Sequence, residues 1–526
     1  MQFVTFIGFT LLVAIISYFK SRKTSDTTSD GYFLGGRSLT GVVIAGSLLL
    51  TNLSTEQIVG LNGAAFKDGI LVMAWETLAA IAMVITAMFL LPRYLKSGLT
   101  TVPQFLENRY DKTTKTITSA IFLSGYVVVL LPIVLYSGAL AISNMFNVPE
   151  LLGVSKTTAL WITVWAIGIT GSIYAIFGGL KAVAVSDTIN AVGLLVGGML
   201  IPVFGLMAIG GGSVFDGISV LTASHPEKFK ALGGPESSIP FGSIFTGMML
   251  VQLFYWGTNQ AIIQRALGAK DLKEGQKGLL LASFIKILGP LIVVLPGLIA
   301  YHMFEGTLDN PDEAYPMLVS KVLPTAWVGF FAAVLFGAIL SSFNSALNSS
   351  VTLFGVDIYQ SHFNPYASEK KVVQVGKRFG IVLAILAMCI APLIANASDG
   401  LFGYLQKVNG CYSIPILTII VVGYLTKYVP AIAAKIGIVS GVVLYIAYIL
   451  LDEFVFVGQF PHFLHVMAIL FVLNVLIMLL IGKFRPRKEA FQLTYTEKVD
   501  ITPWRYINSV GIGICLIVLS IYIYYA

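Results

Sequence analysis

Three cysteines and five histidines are all that 526 residues offer to thiol or soft-metal chemistry. Cys389, Cys411 and Cys515 all fall in apolar segments, where they read as small hydrophobes in helix packing rather than as a disulfide or a metal site. The histidines show no paired spacing, which argues against a metal enzyme. Charge is scarce too, at 11% of residues. No paired His/Asp site or metal cluster of the sort an integral-membrane enzyme needs is in evidence, so an enzyme is not expected. The net charge of +7 and pI near 9.0 would suit a nucleic-acid partner, but the placement of the basic residues gives another account.

Apolar residues are abundant. They make up 56% of the chain, and a mean hydropathy of +0.85 places it in the membrane class. About fourteen apolar segments are long enough to cross a ~30 Å hydrocarbon layer as helices. They run roughly 2–19, 39–65, 69–92, 116–146, 158–178, 184–210, 241–262, 277–304, 324–360, 379–397, 399–425, 430–451, 462–482 and 507–525. Helices are expected because backbone polar groups facing lipid have no water to bond. The first segment lacks a basic leader and is followed by Lys20, Arg22 and Lys23, so it reads as a retained helix with its N-terminus outside.

With that orientation, the odd-numbered connections are cytoplasmic and hold 26 of the 33 Lys and Arg. They include the group 93–115 and the group 265–277. Lys67, Lys156, Lys228, Lys230 and Lys321 lie on the other side. This asymmetry predicts both termini outside, and it accounts for the positive charge without nucleic acid. A lipid bilayer is then the surrounding medium, and no obligatory protein partner is indicated.

Polar groups at membrane depth are the next signal. Glu56, Glu76, Asp187, Lys286 and Lys407 fall within spans, where an ionised group costs about 2.5–3.5 kcal/mol to insert. Each has a plainer reading. Glu76 and Lys286 suit a buried structural pair, Asp187 an interfacial position, and Lys407 a snorkelling side chain.

The stretch TNLSTEQ, residues 51–57, is harder to explain away, because Thr, Asn and Ser compete with the helical ladder for backbone hydrogen bonds. An interrupted helix is predicted there, with carbonyls freed at one dipole end and N–H groups at the other. A second interruption is expected at Gly257, Thr258 and Asn259, five spans later; the odd spacing is what an inverted repeat requires. An aromatic interface belt of Phe254, Tyr255 and Trp256 is the rival reading there. In AILSSFNSALNSS, 338–350, the adjacent hydroxyls of Ser341 and Ser342 offer hard oxygen donors suited to a small cation, whereas Ser345 and Ser349 read as packing residues.

Taken together, the motifs YFLGGRSL, TNLSTEQIVG, FGGLKAVAVSD, YWGTNQAIIQRALGAK, QKGLLLASFIK, VVLPG, DEAYP and ILSSFNSALNSS make the chain resemble the solute:sodium symporter family, most closely its bacterial sodium/galactose (sodium/glucose) branch. The resemblance implies an all-α integral membrane protein of the inner membrane. Its LeuT-type 5+5 inverted-repeat core, 39–425, would have broken first and sixth core helices, flanked by an extra helix and loop at 1–38 and three peripheral helices at 426–526. It implies a sodium ion held by the carbonyls of Leu50, Leu53 and Ala338 and the hydroxyls of Ser341 and Ser342, with Asp187 on the exit path. Sugar-binding groups are implied at Gln57, Glu76, Lys286 and Gln406, with Tyr255 as gate and Asn52 linking gate and break. Gln252 and Ala79 depart from the family's asparagine and serine, which leaves the sugar open.

Sodium-coupled symport of a galactose- or glucose-like sugar by alternating access is therefore the expectation, with sodium as coupling ion and no cofactor. A proton-coupled symporter of a related polyol, working through Glu76 or Asp187, is the alternative. A solute sensor without turnover is a third reading, and the final span reaching Ala526 leaves no room for a signalling domain in it.

Overall fold

The computed structural model describes residues 2–21, 28–305, 308, 311–396 and 401–526. Arg22, Lys23 and the junction expected at 397–400 lie outside them. The described residues are helical throughout, apart from connecting loops and two isolated bridges, Leu39 with Ala269 and Gly233 with Pro240.

The helices that matter here are α1 (Gln2–Ser21), α2 (Gly41–Asn52), α3 (Thr55–Asp68), α4 (Ala74–Ile85), α5 (Lys156–Ile209), α6 (Met249–Gly257) and α7 (Gln260–Leu267). After them come α8 (Leu272–Ile287), α9 (Leu295–Phe304), α10 (Thr325–Thr352), α11 (Leu401–Leu425) and α12 (Ala431–Phe454).

Among the described residues, ten helices are long and apolar enough to cross a membrane, or eleven if the bent pair α8 with 290–304 is one span. The difference from about fourteen is informative. Two of the segments that fall out, 39–65 and 241–262, are those expected to be interrupted, and both are. The third is the N-terminal helix, whose Val4–Ser17 stretch is apolar but short.

The first interruption separates α2 from α3 at Leu53 and Ser54. Leu53 has φ −76° and ψ 52°, and Ser54 is extended at ψ 173°, an N-cap conformation that its residue type favours. The second separates α6 from α7 at Thr258 and Asn259, where the Asn259 side chain accepts from the N–H of Ala261 at 3.0 Å.

Segment 277–304, drawn from the sequence as one span, bends by 47°. Gly289 and Pro290 sit at the bend, where proline removes a ladder N–H and clashes with the preceding turn. A side chain at Gly289 would also collide with Glu76, whose Oε2 stands where a Cβ would go. The absent side chain therefore makes room for a carboxylate.

Helical structure is continuous from Lys156 to Ile209, yet the stretch holds two spans, Lys156–Ala175 and Val183–Ile209. Gly171 packs on Phe343 and Asn190 on Gly337, both from α10. A straight helix would separate residues 171 and 190 by nearly 30 Å at 1.5 Å per residue, while 337 and 343 are only about 9 Å apart. The chain therefore doubles back between the two spans, as the separate segments 158–178 and 184–210 anticipate.

Burial divides the molecule. The apolar window of Thr55–Lys96 is 83% buried, whereas those of Phe463–Phe484 and Ile507–Tyr524 are 28% and 22% buried. Leu480 and Ile512 on these outer helices face outward among other large apolar side chains, a surface that only a hydrocarbon solvent suits.

Candidate ion and solute site

At the first break the main chain is unevenly satisfied. The carbonyl of Leu49 accepts from the Leu53 N–H at 2.7 Å, that of Thr51 from the Ser342 hydroxyl at 2.9 Å and that of Ser54 from the Ile58 N–H at 2.9 Å. Among the described residues no backbone hydrogen bond across the break ends on the carbonyls of Leu50 or Leu53. Both residues are buried, at 0% and 2% exposure, so water does not freely replace the missing donors.

Helix α10 faces this gap. It brings Ala338, Ser341 and Ser342, all buried, against the end of α2. The Thr51 hydroxyl lies 3.2 Å from that of Ser341 and 3.2 Å from that of Ser345. Ser341 and Ser342 thus meet the end of α2 through Thr51, with Ser345 beside them.

The second break differs. Tyr94 donates to the carbonyl of Gly257 at 2.9 Å, and Tyr126 donates to Asn259 Oδ1 at 2.7 Å while accepting from the Ala261 N–H at 3.0 Å. Two phenols fill that gap.

A polar chain runs from the first break to Asp187. Ser345 is bonded by the Arg265 guanidinium, whose Nε donates to Ser47 at 3.1 Å, and Ser47 donates to Asp187 Oδ2 at 2.7 Å. Gly46 lets α2 come close enough for this, since its missing Cβ would stand 2.8 Å from the Thr188 Cα. Asp187 is 1% exposed, so its carboxylate is covered by protein and held by Ser47 rather than by solvent.

Arg265 corrects the charge tally. Counted with a cytoplasmic loop, it lies in α7 at 1% exposure, and Arg109 and Lys115 of the 93–115 group are likewise buried. Arg109 donates to the carbonyls of Gly423, Thr426 and Val429, closing the end of α11 as a cap.

Beside the break sits a second cluster. Lys286 Nζ is 2.5 Å from Glu76 Oε2 and also bonds Asn52 Oδ1, while Gln57 Nε2 donates to Glu76 Oε1 at 2.7 Å. Glu76 and Lys286 are 0% and 1% exposed, so both carry the full cost of desolvation and are held by one another. Tyr255 shares a side-chain hydrogen bond with Asn52, and the Trp256 ring lies 5.8 Å from Lys286 Nζ. Donors and acceptors therefore alternate along Gln57, Glu76, Lys286, Asn52 and Tyr255, spanning α2, α3, α4, α6 and α8.

Two expected contacts are not part of this cluster. Gln252 donates to the Trp75 carbonyl at 2.9 Å and accepts from Trp256 Nε1 at 3.2 Å, so both ends of its amide are occupied elsewhere. Gln406 is half-buried on α11 and shares no hydrogen bond with the cluster among the described residues. Its neighbour Lys407, read from the sequence as a snorkelling side chain, pairs with Asp452 at 3.2 Å and Glu453 at 3.0 Å on α12.

Sequence reasoning missed Ser47, Thr51 and Arg265 as members of the polar path. A basic residue inside the motif that follows the second break was the available signal for Arg265.

Comparison with known proteins gives the family and the fold. Residues 32–441 match the model of the sodium:solute symporter family. The chain is 48% identical over 522 residues to the uncharacterized symporter YidK of Escherichia coli (strain K12), covering 99% of this chain and 90% of that one. It is 32% identical to the sodium/glucose cotransporter of Vibrio parahaemolyticus, with 84% of each chain covered. With the sodium/myo-inositol cotransporter 2 of Oryctolagus cuniculus it shares 29% identity, covering 86% of this chain and 70% of the other. Among solved structures, a sodium-coupled sialic acid symporter in its substrate-bound outward-open state superposes with a TM-score of 0.77 at 20% identity, over 93% of this chain and 99% of the other. Mhp1, a nucleobase-cation-symport-1 family transporter, superposes with a TM-score of 0.56 at 14% identity, over 86% and 95%. These likenesses establish the LeuT-type fold.

Proposed function

This chain belongs to the sodium:solute symporter family, and from that premise we propose that it couples the inward movement of sodium to that of a neutral polyhydroxylated solute, a monosaccharide of the galactose or glucose kind. One observation carries the choice of solute. The buried Glu76–Lys286 pair, bracketed by Gln57 and Asn52, presents alternating donors and acceptors next to the break without a net charge. A sugar hydroxyl is both donor and acceptor, so it can exchange with each of these bonds in turn. The sodium/glucose and sodium/myo-inositol relatives support the same class.

Sodium takes the unsatisfied carbonyls of Leu50 and Leu53, with Ala338, Ser341 and Ser342 closing the shell from α10. To serve, the Ser342 hydroxyl turns its oxygen from the Thr51 carbonyl toward the ion. Bound there, sodium ties α2 to α10 and fixes the start of α3, on which Gln57 sits, so the solute meets a preorganised site. Tyr255 gates the solute on one side, and Asp187, reached through Ser345, Arg265 and Ser47, marks the route by which sodium leaves. Gln252 and Gln406 join the solute only after rearrangement.

A difference of about 1.4 kcal/mol in sodium affinity between the two access states gives a tenfold bias. Each charge moved adds about 2.3 kcal/mol per 100 mV. Screening monosaccharides and polyols for uptake into sealed proteoliposomes tests the reading: at least one is expected to enter faster when a sodium gradient is imposed. If the whole panel enters at the rate of protein-free vesicles, the solute class is wrong.

Proton coupling stays open as a second reading because of Glu56. This residue is 7% exposed at the start of α3, and its Oε2 is buried without a hydrogen-bond partner among the described residues. If sodium is the coupling ion, Glu56→Gln keeps sodium-driven uptake within about threefold of wild type. Uptake that follows a pH gradient in wild type and loses that response in Glu56→Gln would establish the proton reading instead.

A further inference from the structure

The outward face of α8 carries a groove of about 410 Å³, shared with the start of α2 and the last helix, Ile507–Tyr524. Small-molecule sites commonly span ~300–1,000 Å³. Gly41 shapes the floor, because its missing side chain lets α2 lie against α8: a Cβ there would stand 3.0 Å from Lys277 Cβ and 3.1 Å from the Glu274 carbonyl oxygen. Lys277 and Lys286 are two and a half turns apart at about 3.6 residues per turn, so α8 turns one lysine to the solute cluster and the other to this groove.

Polarity divides the groove along its length. Val42, Leu280, Leu281, Phe284 and Val510 make apolar walls, and Val42, Leu281 and Phe284 are exposed. A membrane span begins at Ile507, so Val510 lies within it and Trp504, three residues before it, marks the boundary with water, where tryptophan is favoured. The position of Trp504 is fixed: its N–H donates to Gln276 Oε1 at 2.7 Å, and its ring meets that of Tyr506 edge-on.

The charged groups at the Trp504 end call for an anion. Glu274 has both oxygens engaged, Oε2 by the Gly41 N–H at 2.8 Å and Oε1 by Lys277 at 2.9 Å. Nearby in the chain, Asp271 accepts from the Glu274 N–H at 2.7 Å, and Asp500 accepts from the N–H and the hydroxyl of Thr502 at 2.9 and 2.7 Å. The cations are less committed. Lys277 uses one of its three donors on Glu274. Lys273, one turn before it and exposed, acts on Glu274 only through space, and the exposed Arg505 lies 5.6 Å from the Tyr506 ring centre. Surplus donors at the wet end of an apolar slot match a phosphate that carries an acyl tail.

We propose that this groove binds an anionic phospholipid such as phosphatidylglycerol, with an acyl chain along Val42, Leu281, Phe284 and Val510, the phosphate accepting from Lys277, and Lys273 adding its charge. A zwitterionic headgroup is matched less well, because both oxygens of the carboxylate lining the groove are already taken and its ammonium would face Lys273. Occupancy has a mechanical consequence. The lipid bridges α2, whose far end bears the Leu50 carbonyl, to α8, which bears Lys286, and so braces the frame of both sites.

The test uses the delipidated full chain in detergent, titrated with phosphatidylglycerol or with phosphatidylcholine of the same acyl chains, and read by native mass spectrometry with thermal melting in parallel. One phosphatidylglycerol per chain should bind at least about tenfold more tightly than phosphatidylcholine and raise the melting temperature more. Lys277→Gln and Lys273→Gln should each weaken phosphatidylglycerol about fivefold, since a basic group near the membrane surface is worth that much to an anionic lipid, and Lys273→Gln should change phosphatidylcholine by less than about twofold. Leu281→Trp, which fills the slot, should weaken both lipids. Melting without lipid establishes that each variant is folded; should Lys277→Gln fail this control by releasing Glu274, Lys273→Gln and Leu281→Trp carry the test. Equal affinity of wild type for the two lipids, or folded variants that bind as wild type does, would overturn the site. Glycerol phosphate that stabilises as well as phosphatidylglycerol would reduce it to a surface anion contact and overturn the lipid.

Discussion

Lys286→Ala is expected to abolish sodium-driven solute uptake and to lower stability by about 3–5 kcal/mol, the usual consequence of stranding one member of a buried ion pair. The stranded member is Glu76, which has no exposure and would keep only Gln57 as partner. Loss of uptake alone would not separate a binding role from a structural one, so the double variant decides. Removing both charges with apolar residues of similar volume, in Glu76→Leu with Lys286→Met, deletes the unpaired carboxylate along with its counter-ion without opening a cavity. It should recover most of the lost stability, since a buried pair contributes little net energy compared with well-packed apolar residues of its size. If the pair binds solute, uptake stays at background in this stable double variant. If the double variant transports, the pair is a structural one and the solute site lies elsewhere. Thermal melting in detergent and uptake in proteoliposomes are the two measurements.

Ser342→Ala should raise the sodium concentration for half-maximal uptake by about tenfold, because one oxygen donor of a small shell is worth about 1–1.5 kcal/mol. Stability should fall by no more than a similar amount, as only the hydroxyl bonded to the Thr51 carbonyl is removed. Ser349→Ala provides the control. That hydroxyl is also buried and donates to Gln264 Oε1 at 2.8 Å, but it lies two turns further along α10. Its loss should leave the sodium dependence unchanged. An unaltered sodium curve in Ser342→Ala, or equal shifts in both variants, removes the cation from the place assigned to it.

Both breaks were legible because the residues that compete with helical hydrogen bonding stand side by side, as TNLST at 51–55 and GTN at 257–259. Local chemistry decides such a feature, and a sequence displays local chemistry. The bend at Gly289 was legible in principle from Gly-Pro, but segment 277–304 is apolar enough to pass as one span, and hydropathy averages ignore geometry. Arg265 was misplaced for a related reason. Near the end of an apolar run, composition cannot tell a side chain that turns to water from one that turns inward to Ser47 and Ser345. The turning of Gln252 to the Trp75 carbonyl rather than to Glu76 depends on how distant segments pack. The grouping of Glu76 with Lys286 was weighed from the sequence as a pair, and the resemblance put Gln57 and Asn52 near them, but the direct bonds of Gln57 to Glu76 and of Asn52 to Lys286 emerge only in three dimensions.

Tyr94 and Tyr126 give the second break a significance of its own. A backbone pattern that occurs twice is closed internally only once, since the Tyr94 phenol supplies the Gly257 carbonyl with a donor and Tyr126 holds the Asn259 side chain. Duplicated architecture therefore yields unequal halves: one break is braced by its own side chains, and the other, among the described residues, leaves the carbonyls of Leu50 and Leu53 without a backbone donor.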